Sequence, residues 1–139
     1  MSSSVNERHS APRSPLLTLL IAILALEAVA VSGVAIYLLF QLVTGSASDI
    51  GGGIAITAIG ILAAVWLIAI VVGAVRRRPW IRGAAVTWQL IQIAVAVGCF
   101  QGIFARPDLG WALLIPALLA LVLLVSPALS ARDPQDPRP

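Results

Sequence analysis

The side chain with the most chemical potential in this sequence is Glu27, set in I-L-A-L-E-A-V-A within the apolar stretch Pro15 to Val43. That stretch carries no other acid and no base. A carboxyl group at membrane depth needs a hydrogen-bonding partner, a water-filled cavity or a proton. Without a nearby counter-charge, and unless water reaches it, the neutral acid is the expected form. The second polar set is the amide pair Gln89 and Gln92 in T-W-Q-L-I-Q. Ala85, Gln89, Gln92, Ala96 and Cys99 recur at steps of four and three, so they share one helix face. An amide can donate to a carboxylate and can accept from a carboxylic acid, so it suits Glu27 in either state. Two chemistries follow: a proton-titrating site, or a neutral polar contact that fixes helix register.

No other residue set reaches that specificity. The single His, His9, has its Ser neighbour only in the polar tail, so there is no Ser nucleophile set beside a His, and there is no His/Cys/Asp cluster and no paired carboxylates. The Gly51-Gly52-Gly53 run lacks the spacing of a phosphate-cradling loop and reads as a flexible turn. Cys99 is the single cysteine and lies in an apolar run, so it reads as a small packing residue. His9 falls in a polar tail. The chain is therefore expected to be non-enzymatic, with no cofactor and no metal site.

The elements that position these residues are set by composition. Of 139 residues, 60% are hydrophobic and 11% charged, and the mean hydropathy is +1.01. Soluble domains lie nearer 45–50% apolar and about 25% charged. Four apolar runs predict an all-α polytopic membrane protein, an antiparallel bundle of four transmembrane helices over about 15–43, 54–75, 83–104 and 109–126. The tails 1–14 and 128–139 are polar or Pro-rich and read as disordered cytoplasmic segments flanking one transmembrane domain, 15–127. The first run is too long for a signal-peptide core and contains an acid, so it reads as a span. In the second run Gly53, Thr57, Gly60 and Ala64 recur at steps of four, three and four, a small-residue seam that allows close helix approach. Pro116 should kink the fourth helix, or mark a freed carbonyl taken up by a side chain or water.

The net charge of +3 is carried by nine arginines and no lysine, in short segments beside the apolar runs, which argues against nucleic acid. With four alternating spans, Arg8, Arg13, Arg76, Arg77, Arg78, Arg82, Arg132 and Arg138 fall on one side and Arg106 on the other. The positive-inside rule then puts both termini and the second loop in the cytoplasm. Arg76, Arg77, Arg78 and Arg82 with Trp80, and Trp111 at the far side, read as interfacial anchors. The arginine cluster could also meet anionic lipid. In this topology Glu27 lies ~18 Å and Gln92 ~13 Å from the cytoplasmic ends of their helices. They are thus close enough in depth for their side chains to meet inside the bundle.

The polar tail, A-L-E-A in the first run, R-R-R-P-W, T-W-Q-L-I-Q and G-W-A-L-L-I-P together resemble a group of small bacterial integral membrane proteins of uncharacterised activity. That resemblance implies a four-span topology, and the expected location is the bacterial inner membrane. I-L-A-L-E-A around Glu27 is also similar to the first helix of small multidrug resistance transporters, which implies an essential embedded glutamate at Glu27. The functional expectation is a structural or accessory membrane component acting through helix packing with itself or a larger membrane partner. The alternative is a proton-coupled small-molecule transporter using Glu27.

Overall fold

The computed structural model describes residues 14–45, 49–101 and 105–126. Of the two tails expected to be disordered, only Ser14 falls among these residues, where it caps α1. The described chain is all-helical: α1 is Pro15–Val43, α2 Ile50–Val75, α3 Ile81–Cys99 and α4 Pro107–Val125. Each is long and apolar enough to cross a membrane. At ~1.5 Å per residue, the 19 residues of α3 and of α4 span ~28 Å, just matching a hydrocarbon core of about 30 Å.

Local chemistry sets each boundary. The Ser14 hydroxyl accepts from the Leu17 N–H, and Pro15 occupies the first turn, where its missing N–H costs nothing. The helix ends where Gly45 takes a left-handed conformation, φ 69°. α2 begins four residues earlier than the sequence suggests. Asp49 caps it, with Oδ1 accepting from Gly51 N–H and Oδ2 from Gly52 N–H. The three glycines are thus the first turn of a helix and not a flexible turn. α3 starts two residues earlier than expected, at Ile81, and stops at Cys99 instead of running to Phe104. α4 likewise starts two residues earlier, at Pro107, so Asp108 belongs to its first turn. Arg106 and Asp108 pair there through two bonds of 3.2 and 3.0 Å.

α1 packs closely on α2, and α3 closely on α4, giving two tight hairpins. The hairpins meet along α1–α4 and, at the α2–α3 corner, along α2–α3. Backbone proximity therefore runs round a ring, with α1 and α3 diagonally opposed. The apolar interior is built from Leu20, Leu24, Leu67, Ile70, Ala85 and Ala120, among others. Large apolar side chains such as Val29, Ile59 and Val122 point outward, the expected arrangement where the solvent is lipid. At the Arg-rich end, the Arg82 guanidinium donates from Nη2 to the Leu124 carbonyl at 2.8 Å, closing the last turn of α4 from the first turn of α3.

Candidate functional site

Glu27 sits near the middle of α1 and is 6% exposed. Facing it across the bundle, α3 presents Trp88, Gln89 and Gln92, all buried. Steps of three and four residues put these side chains within about a quarter-turn of each other, on the inward face. Glu27 Oε2 accepts from Trp88 Nε1 and from Gln89 Nε2, each at 3.2 Å. Glu27 Oε1 accepts from Gln92 Nε2, also at 3.2 Å. The carboxyl group is thus held by three N–H donors from the diagonal helix, and long side chains cover the distance that the backbones do not.

Gln92 does more than bind Glu27. Its Nε2 also donates to the Leu113 carbonyl of α4 at 3.0 Å. Pro116, three residues further on, has no N–H to offer the Ala112 carbonyl one turn back, and its ring crowds that turn. A side-chain donor therefore lands beside the point where α4's own bonding is interrupted. One amide group, with both hydrogens used, joins α1, α3 and α4. Gln89 is fully buried, and its Oε1 is without a hydrogen-bond partner among the described residues.

No other ionisable group on the described helices faces this cluster. α1 carries Tyr37, whose hydroxyl accepts from Gln41 near the far end of that helix. α2 carries none. Arg82 is at the start of α3 and Cys99 at its end; Asp108, in the first turn of α4, is paired with Arg106. The two best-formed surface grooves lie between α1 and α2, lined by Ser32, Ile36 and Ile68 among others, and neither is lined by Glu27 or its partners. Among the described residues no three His, Cys, Asp or Glu side chains come together to hold a metal ion.

The other residues singled out from the sequence fall into two groups. Thr57 and Ala64 are buried and Gly53 and Gly60 half-buried on α2. A Cβ built on Gly60 would stand 3.7 Å from the Ala35 backbone of α1, so that stripe lies in the α1–α2 contact. Thr57 satisfies its hydroxyl by donating to the Gly53 carbonyl at 2.7 Å. Arg76, Arg77, Arg78, Trp80 and Arg82 are exposed at one end of the bundle, and Trp111 is exposed near the other. Trp111 meets Phe100 edge to face, with ring centroids 5.4 Å apart.

Trp88 and the Leu113 carbonyl complete the cluster and were not singled out by the sequence. For Trp88 the signal was present, because it stands three residues after Ala85 and four before Gln92 on the amide face. For Leu113 only the nearby Pro116 pointed to it. No protein-family model, curated protein or solved structure matches the chain.

Proposed function

We propose that this chain is a non-enzymatic, structural or accessory component of the bacterial inner membrane, acting through helix packing with itself or a larger membrane partner. Both termini are assigned to the cytoplasm because the arginine bias requires it. The observation that carries the reading is the three-donor grip of α3 on Glu27, extended by Gln92 to the α4 backbone. This grip fastens one hairpin to the other and sets the surface offered to a partner.

A second reading, proton-coupled transport of a small molecule, draws support from the same site. Among the described residues Glu27 is buried without a counter-charge and the adjoining Gln89 Oε1 lacks a donor, which a protonated acid could supply. Two substitutions separate the readings. As a register-fixing residue, Glu27 should tolerate Gln, which keeps hydrogen-bonding capacity, and fail as Leu, which does not. Co-purification of native membrane partners with each variant is the measurement. Loss of cellular function in Glu27→Gln, with folding, insertion and partners intact, would overturn the structural reading in favour of the carrier.

A further inference from the structure

We infer that Arg76, Arg77 and Arg78 form a binding site for the phosphate group of an acidic phospholipid. The sequence cluster of four arginines divides into two parts in the structure. Arg82 is engaged with the Leu124 carbonyl and serves the α3–α4 junction. The other three are consecutive and exposed. No hydrogen bond or ion pair joins any of their guanidinium groups to another described residue. The acids among the described residues stand elsewhere: Glu27 at mid-depth, Asp49 and Asp108 at the opposite end of the bundle. Three planar forks with five N–H donors each are thus left facing outward where the apolar run of α2 ends at Val75. In a bilayer that level is the headgroup layer, and paired N–H donors match phosphate oxygens two at a time.

The backbone gives an independent reason. α2 closes with the Arg78 N–H on the Gly73 carbonyl and the Arg77 N–H on the Ala74 carbonyl, which puts Arg77 in the left-handed region, φ 53°. α1 closes with a residue in the same conformation, and there it is Gly45, φ 69°. A side chain at such a position is strained, and glycine relieves the strain. At the end of α2 the chain bears that cost to keep a guanidinium in the middle of the row. The turn is also held in place. Trp80 and Ile81 fold back over Gly73, where any side chain would collide with Ile81, and Trp80 stays half-exposed at the same level. Non-glycine residues held in the left-handed region concentrate at functional sites, and this one sits in a fixed, charged turn.

The test uses the full chain in bilayers containing equal amounts of phosphatidylglycerol and phosphatidylcholine, with native mass spectrometry reading the lipid retained on release. Wild type should retain the acidic lipid about five-fold in excess. Arg77→Gly should lose most of that excess while its unfolding temperature rises. A variant with all three arginines changed to lysine keeps the charge, and hence the membrane orientation, and should also lose most of it, because lysine cannot make paired bonds to phosphate. No excess in wild type, or undiminished excess in the lysine variant, would overturn the proposal. Loss of the excess when inorganic phosphate replaces chloride at constant ionic strength would reassign the site to phosphate from solution and overturn the lipid as its ligand.

Discussion

Among the described residues Glu27 is the one carboxylate taken into the apolar interior, and its surroundings define what it can do. Three N–H groups aim at its two oxygens. A hydrogen bond between membrane helices contributes about 0.6 kcal/mol on average and up to ~1.7. Removing the acceptor leaves buried donors unpaired as well, which raises the cost. Glu27→Leu is therefore expected to destabilise the bundle by about 2–4 kcal/mol. Glu27→Gln should cost ~1 kcal/mol or less, since turning over the Gln89 amide offers its unpartnered Oε1 to the new N–H group. Unfolding in a denaturing detergent gradient measures both, and equal losses in the two variants would contradict the described bonding. The meeting of Glu27 with Gln89 and Gln92 was legible in the sequence, because depth and helical spacing alone bring them together. The Trp88 contribution was hidden by its type, since an indole in an apolar helix reads first as a packing residue.

The helices themselves were readable to within a few residues, and the misreadings have physical causes. D-I-G-G-G looks like a turn because glycine is a poor helix former in water. Asp49 overrides that preference by taking up two free N–H groups of the first turn. The close approaches at helix ends were not legible, because they depend on which ring folds over which glycine. Gly73 underlies Ile81 and Trp80, and a Cβ on Gly110 would come within 2.9 Å of three Phe100 ring atoms. Gly73→Leu is expected to cost at least 1–3 kcal/mol by overpacking. A variant as stable as wild type in the same detergent titration would mean that the α2–α3 corner is looser than described. Arg77→Gly is expected to act the other way, stabilising by ~1 kcal/mol through relief of the left-handed conformation. An unchanged or lower stability would remove the case for strain there.

At the scale of the whole molecule, four antiparallel helices bring the start of α1 and the end of α4 to the same side, and the Arg76–Arg82 corner lies at that end as well. Reporter fusions at residue 139 and in the loops should therefore read the C-terminus and the α2–α3 corner as cytoplasmic and the α1–α2 loop as external. A corner labelled from outside the cell would invert the proposed orientation. The two-hairpin arrangement makes the Glu27 cluster the main polar tie across an otherwise apolar interface. The most direct measurement is a double-mutant cycle between Glu27→Leu and Gln92→Leu, read as unfolding free energy in bilayers. Coupled residues should give a combined loss smaller than the sum of the single losses by at least ~0.6 kcal/mol. Strictly additive losses would show that the two side chains do not act on each other, and the tie between the hairpins would have to lie elsewhere.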